Sequence, residues 1–268
     1  MIFLLQFYVV KELTRVILNK CLSIPIPIRI YSLIDLYSSF AQGLGWGSGT
    51  IKQEINACLS LLRIKPKIFI DIGANKGLYT QGVLNEIGSI ETHVFEPSEL
   101  NYKILKDKFS FSNKIKINKI ALSNSTSKAK LFSDITGSGL GSLTKRRLDH
   151  FDIKMDNVEE VDLIRFDEYW NKNSTIIDYV KIDVEGHELD VLEGFGQLIL
   201  KTKLIQFEFG GCNIDTRTYF QDFWYFFLER NFIIYRITPR GFLRIPIYKE
   251  KYEFFQNTNY IALNKSFL

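Results

Sequence analysis

Residues 68–80 read Ile68-Phe69-Ile70-Asp71-Ile72-Gly73-Ala74-Asn75-Lys76-Gly77-Leu78-Tyr79-Thr80. An apolar run ends in an acidic residue, two glycines follow, and a helical pattern begins after them. That is a strand, a tight glycine turn and a helix start, an arrangement that lets backbone approach a nucleotide-like ligand. A second apolar segment ends in His93-Val94-Phe95-Glu96-Pro97. A carboxylate at the end of this next strand can accept hydrogen bonds from both hydroxyls of a ribose. Glu96 is therefore the candidate ribose ligand.

The glycine spacing narrows the ligand. Gly73-x-x-x-Gly77 is not the G-x-G-x-x-G of dinucleotide sites. It is not a phosphate-binding P-loop either, because Lys76 precedes Gly77 and no Gly-Lys-Ser/Thr follows. A nucleoside ligand without a tight pyrophosphate cradle remains.

From residue 67 onward, strand and helix patterns alternate. Strands are expected at 67–71, 91–96, 114–121, 176–182, 204–209, 232–237 and 258–263. Helices are expected near 77–87, 98–109, 187–200 and 219–228. Leu189, Leu192, Phe195 and Ile199 share one helical face. Such alternation predicts an α/β fold, a mostly parallel sheet with helices on both faces. Ligands then bind beyond the carboxyl ends of the strands, where Asp71, Glu96, Asp183 and Glu208 fall. A long insertion at 122–175 carries the loop Gly137-Ser138-Gly139-Leu140-Gly141-Ser142-Leu143; connections of this length are usually functional. Residues 1–66 read as an N-terminal helical extension with a glycine-rich loop, Gly43-Leu44-Gly45-Trp46-Gly47-Ser48-Gly49, and residues 67–268 as the main domain. The loop suits a lid or a plain linker equally.

Composition excludes several classes. A net charge of +4 over 268 residues, without a long basic tract, gives no electrostatic footprint for nucleic acid. Cys21, Cys58 and Cys212 are widely spaced and form no CxxC, which suits a reducing cytoplasmic setting and argues against a disulfide framework. His93, His150 and His187 lack metal-ligand spacing, so no metal site is expected. The apolar start, MIFLLQFYVV, is too short to span a bilayer and lacks the flanks of a signal peptide. Residues 1–19 read as an amphipathic helix packed on the domain or a partner, with weak membrane-surface contact as the alternative.

The turn Lys181-Ile182-Asp183-Val184-Glu185-Gly186-His187-Glu188 is the second landmark. Together with DIGANKG (71–77), FEP (95–97), IALSN (120–124), GSL (141–143) and FEF (207–209), it resembles the FkbM family of methyltransferases. The resemblance covers about residues 67–210 and continues weakly to Asn259-Tyr260-Ile261-Ala262. It implies a Rossmann-like seven-stranded sheet with an antiparallel last strand, S-adenosyl-L-methionine as cofactor, and O-methylation of a sugar or secondary-metabolite hydroxyl. By that resemblance Asp71, Gly73, Asn75 and Gly77 line the methionine part, with Tyr79 and Thr80 at the helix start. Glu96 holds the ribose, and Ala121 and Leu122 flank the adenine. Asp183 and Glu185 face the reaction centre. His187 departs from the family, whose members often carry a small residue there.

Methyl transfer from a sulfonium is an in-line displacement, so alignment of acceptor oxygen, methyl carbon and sulfur is the main demand. An alcohol is a weak nucleophile and gains from a base. Asp183, Glu185 and His187 are the candidate bases, His187 having the ordinary pKa nearest neutrality. The expected acceptor is a sugar of a polysaccharide or glycoconjugate precursor. Alternatives are a non-sugar acceptor or a homologue that binds cofactor without turnover. Nucleic-acid methylation finds no (D/N/S)-P-P-(Y/F/W) motif, and a nicotinamide oxidoreductase is opposed by the glycine spacing.

Overall fold

The computed structural model describes residues 14–15, 27–47, 50–170 and 175–268. In chain order, α1 (Ile28–Ala41) and α2 (Ile51–Leu62) precede β1 (Ile68–Ile72), α3 (Leu78–Ile87), β2 (Glu91–Phe95), α4 (Glu99–Lys108) and β3 (Ile115–Asn118). The insertion holds β4 (Ala121–Leu122), β5 (Ser127–Ser133), β6 (Asn157–Ile164) and the short α5 (Phe166–Tyr169). Then come β7 (Ile177–Ile182), α6 (Glu188–Gly194), β8 (Thr202–Phe209), α7 (Cys212–Thr216) and α8 (Phe220–Glu229). β9 (Phe232–Thr238), β10 (Gly241–Ile245) and β11 (Thr258–Asn264) complete the chain.

Among the described residues the main sheet has eight strands in the order β10-β9-β11-β8-β7-β1-β2-β3. The run β3-β2-β1-β7-β8 is parallel, and β11 lies antiparallel between β8 and β9. The expected seven-stranded sheet with an antiparallel last strand is present. An eighth strand, β10, is hairpinned onto β9 at the edge.

Central strands are buried from end to end, as a parallel sheet covered on both faces requires. The two-residue period sorts their side chains. Ile68, Ile70 and Ile72 join a core with Val180, Ile182, Phe195, Phe207 and Phe223 under α6 and α8. Phe69, Tyr179, Leu204 and Ile261 face the other way, into a core with Ile55, Cys58, Tyr79 and Val83 from α2 and α3. The strand register places Asp71 beside Lys181, Lys181 beside Gln206, and Glu208 beside Asn259. All of these lie on the α2/α3 face by the same alternation.

Two expectations are refined. The strand expected over 114–121 ends at Asn118, and Ala121–Leu122 pairs with β6 in a separate three-stranded sheet, order β4-β6-β5. The alternation of Ile115 and Ile117 is broken there by Lys119. The helix expected over 187–200 stops at Gly194, because Gly196 takes a φ of 51° and the chain continues as a 3₁₀ segment, Gly196–Lys201. The expected helix at residues 1–19 lies almost entirely outside the described residues. α1 has no buried residue, and among the described residues no helix is long and apolar enough to cross a membrane.

The ends of β1 and β7 are locked backbone to backbone. The Asp183 amide donates to the Ile72 carbonyl at 3.0 Å. Gly73 has φ 77°, and a Cβ there would sit 1.9 Å from the Asp183 carbonyl oxygen. Beyond β7 the chain turns through Glu185 (φ 54°) and Gly186 (φ 104°). Glu188, fully buried at the start of α6, folds back so that its carboxylate accepts from the Val184 amide (3.0 Å) and the Gly186 amide (3.1 Å).

Two stability predictions follow from this contact and this clasp. Gly73→Ala is expected to lower unfolding free energy by at least ~2 kcal/mol, since the new methyl meets a carbonyl in a left-handed turn. An unchanged denaturant midpoint would show that the strand ends do not touch. Glu188→Ala leaves two turn amides without their acceptor and is expected to cost ~2–4 kcal/mol, with Glu188→Gln costing less. Equal losses for the two variants would mean that the clasp contributes through volume, not hydrogen bonding.

Candidate active site

The glycine turn is held from both sides. The Gly73 and Ala74 amides both donate to the Phe95 carbonyl, at 3.0 and 3.1 Å, fixing the end of β1 to the end of β2. Asn75 adopts a φ of 50°, which aims its amide at Glu96 Oε2, 2.8 Å away. The other Glu96 oxygen accepts the Ser98 amide at 3.0 Å. Burial pushes the Glu96 carboxyl up to about 6, with the two amides opposing the rise.

A cleft of ≈ 760 Å³ opens beside Glu96. Ile72, Phe95, Ile120, Ala121, Leu122 and Leu143 give it apolar walls, and Gly73, Asn75, Ser98 and Asn101 supply polar atoms. Asn75 Oδ1, Ser98 Oγ and Asn101 Oδ1 are buried without a hydrogen-bond partner. The insertion closes one side with Gly137, Ser138, Gly139 and Gly141. That segment is tied to the turn after β7. Ser142 Oγ donates to the Glu185 carbonyl at 2.8 Å, and Thr144 Oγ1 lies 3.0 Å from His187 Nε2. Arg146 donates to Glu185 Oε2 at 2.6 Å.

A second cavity of ≈ 1180 Å³ adjoins the first. Gly73, Asn75, Asp183 and Glu185 line both. The second is polar, with Glu54, Tyr79, Lys181, Glu208, Asn257 and Asn259 in its wall and Gly45 and Gly47 at its rim. Beneath it lies a buried network. Glu54 accepts from Thr50 Oγ1 and from Gln206 Nε2, each at 2.6 Å. Gln206 Nε2 also donates to Asn259 Oδ1 at 3.1 Å. The Tyr79 and Tyr179 hydroxyls and Gln206 Oε1 form a three-way cluster in which the two hydroxyl protons are shared. Lys181 Nζ donates to Asp183 Oδ2 at 2.7 Å and lies 5.0 Å from the centroid of the Tyr79 ring. Burial works against the Lys181 charge, but Asp183, Asp71 and Glu54 hold its pKa above the usual range.

The structure thus brings Gly73, Asn75, Asp183 and Glu185 to one shared border. Glu96, Ala121, Leu122 and His187 lie in the first cleft only, and Tyr79 in the second. Asp71, Gly77 and Thr80 line neither. Asp71 is fully buried and accepts from Thr80 Oγ1 at 2.5 Å, and Gly77 packs its bare face on Leu105 and Phe109. Both nitrogens of the His187 ring are engaged, Nδ1 with Asp190 at 2.7 Å and Nε2 with Thr144. Burial and Asp183 raise the Glu185 carboxyl above its usual range against the pull of Arg146.

Sequence reading missed Ser98, Asn101, Glu54, Lys181, Asn257 and Asn259. Lys181 carried a signal, a lysine inside the otherwise apolar end of a central strand. Glu54 and Asn101 sit on ordinary helical patterns and carried none.

Residues 71–234 match the family model described as the Methyltransferase FkbM domain. No functionally curated protein matches the chain. Among solved structures, the plantazolicin methyltransferase BpumL in complex with SAH is 10% identical, with 91% of this chain and 92% of that one covered and a TM-score of 0.45. The putative RNA methyltransferase PH1948 from Pyrococcus horikoshii is 13% identical over 80% and 83%, TM-score 0.41. TrmK of M. capricolum, in complex with S-adenosyl-homocysteine, is 12% identical over 78% and 67%, TM-score 0.41. Membership rests on the matched segment, not on these likenesses. The chain belongs to the FkbM family of methyltransferases, with S-adenosyl-L-methionine as its methyl donor.

Proposed function

We propose that the chain transfers the methyl group to a hydroxyl of a sugar in a polysaccharide or glycoconjugate precursor. The observation that carries this reading is the pair of adjoining cavities that share Gly73, Asn75, Asp183 and Glu185. Donor and acceptor in separate cavities meet at that border, as an in-line displacement needs.

The residues present fit the donor. Glu96 keeps lone pairs free for two ribose hydroxyls, and Ala121 and Leu122 offer apolar contact for the adenine. The unpartnered Asn75 Oδ1, Ser98 Oγ and Asn101 Oδ1 await donors such as an exocyclic amine or a hydroxyl. Gly73, Asn75 and Asp183 would hold the methionyl part. When bound, the donor supplies an electrophilic methyl on a good leaving group. Asp71 and Thr80 act from below, bracing the turn through their mutual bond.

The second cavity supports a polyhydroxylated acceptor. Its carboxylates accept from hydroxyls, and the amides of Asn257 and Asn259 both donate and accept. Lys181 holds Asp183 at the border and offsets part of the acidic charge there.

Labelled methyl transfer from S-adenosylmethionine into cell extract is expected to place label in the glycan or glycoconjugate fraction. Label in nucleic acid or protein instead would overturn the acceptor assignment. Glu96→Ala is expected to weaken S-adenosylhomocysteine binding 10- to 100-fold, about 1.4–2.8 kcal/mol. Calorimetry showing equal affinity would remove Glu96 from the ribose. The pH dependence has a definite sign. Ribose hydroxyls donate to the ionised carboxylate, so affinity is full above a pH of about 6 and declines as pH falls through it. Glu96→Gln should abolish that decline.

A further inference from the structure

Four carboxylates line the polar cavity: Glu54, Asp183, Glu185 and Glu208. Three are engaged. Glu54 accepts from Thr50 and Gln206, Asp183 from Lys181, and Glu185 from Arg146. Glu208 has no hydrogen-bond or ion-pair partner among the described residues. It sits near the carboxyl end of β8, half-buried, and opposite Asn259 of β11. Its neighbours Phe207 and Phe209 face the α6/α8 core, so the two-residue period turns Glu208 to the cavity side, one pleat above Gln206. A carboxylate in a partly dry site without a partner is costly unless a ligand completes it.

We propose that Glu208 is the general base that takes the proton of the acceptor hydroxyl. The proposal rests on the acceptor lying in the polar cavity, as argued above. In the step, the acceptor O–H bond breaks and its proton passes to a Glu208 carboxylate oxygen. An oxygen lone pair forms the new O–CH₃ bond, and the C–S bond breaks with its electrons on sulfur. Glu208 later returns the proton to solvent through the open cavity. The alternatives are less free to act. Asp183 is already paired with Lys181, Glu185 with Arg146, and both His187 nitrogens face other side chains outside this cavity.

The surroundings suit a base stronger than an ordinary carboxylate. Burial, then the charges of Asp183, Glu185 and Glu188 on the turn after β7, raise the Glu208 carboxyl well above its usual range, and Lys181 of β7 opposes them. Glu54 of α2 faces the same cavity, and Asn259 of β11 is the uncharged neighbour across the sheet. A raised carboxyl is protonated at low pH and becomes competent as a base as pH rises.

The test compares wild type, Glu208→Gln and Glu208→Asp in labelled methyl transfer from S-adenosylmethionine into cell extract, with S-adenosylhomocysteine affinity measured alongside. Glu208→Gln is expected to bind S-adenosylhomocysteine as wild type does. It should transfer label roughly 100-fold more slowly or worse, even at the highest extract concentration. Wild-type transfer should rise with pH, and this rise should be absent from the residual Glu208→Gln rate. Glu208→Asp should fall between the two and keep the rise, an outcome that a purely structural role would not give. If Glu208→Gln fails to bind S-adenosylhomocysteine, Glu208→Asp carries the test: it must slow transfer with affinity intact. Wild-type rates in Glu208→Gln, or in Glu208→Asp where that variant carries the test, would overturn the base assignment and leave the methyl-transfer reading standing. Absence of transfer by wild type into any fraction would overturn both.

Discussion

The contact between Gly73 and the Asp183 carbonyl is the constraint on which the site depends. A Cβ at Gly73 would lie 1.9 Å from that oxygen, so the two strand ends meet as bare backbone. From this point the rest of the geometry is set. The Gly73 and Ala74 amides reach the Phe95 carbonyl, which fixes β2 and so delivers Glu96 to the Asn75 amide. On the other side, Asp183 and Glu185 arrive on the turn that Glu188 clasps. The cleft beside Glu96 and the polar cavity share a border because these three strand ends share hydrogen bonds.

Charge at that border is arranged, not merely accumulated. Asp71, Glu54, Asp183, Glu185, Glu188 and Glu208 crowd around the carboxyl end of the sheet, with Lys181 and Arg146 among them. Leaving so many carboxylates ionised in a half-dry site would be unfavourable. Lys181 offsets part of this from within the sheet, and Arg146 from the insertion. Hydrogen bonds from Thr50 and Gln206 occupy both oxygens of Glu54, those from the turn amides both oxygens of Glu188, and that from Thr80 one oxygen of Asp71. The insertion therefore does more than cover the cleft: its Arg146 neutralises one of the two acidic groups on the shared border.

The positions of the central strands were largely legible in the sequence, because parallel central strands read as unbroken apolar runs bounded by glycine and acidic residues. Asp71-Ile72-Gly73 and Lys181-Ile182-Asp183 also announced the crevice. What escaped was structure set by pairing between distant segments. Ala121 and Leu122 look like the end of a strand, yet they pair with Leu163 and Ile164 in a second sheet. The motif reading placed Asp71, Gly77 and Thr80 among cofactor contacts, but Asp71 is fully buried against the Thr80 hydroxyl and Gly77 packs on Leu105 and Phe109, so none of the three lines either cavity. Glu54 and Asn101 were invisible because a buried polar residue on a helix has no local signature; only the partner across the fold gives it meaning.

The division between the two cavities follows the limits of the family match. Every residue lining the cleft beside Glu96 falls within residues 71–234. The polar cavity draws its floor from that segment, but Gly45, Gly47, Ile51 and Glu54 come from before it and Asn257 and Asn259 from after it. The helix that carries Glu54 is not an appendage, since Ile55, Cys58 and Leu62 pack into the core beneath Phe69 and Tyr179. Gln206 ties the two regions together, bonding Glu54 on one side and Asn259 on the other. On the proposed reading, donor binding belongs to the shared framework of the family. Acceptor choice then rests on α2, the glycine loop before it and the entry to β11, so substitutions there should redirect the acceptor and spare cofactor affinity.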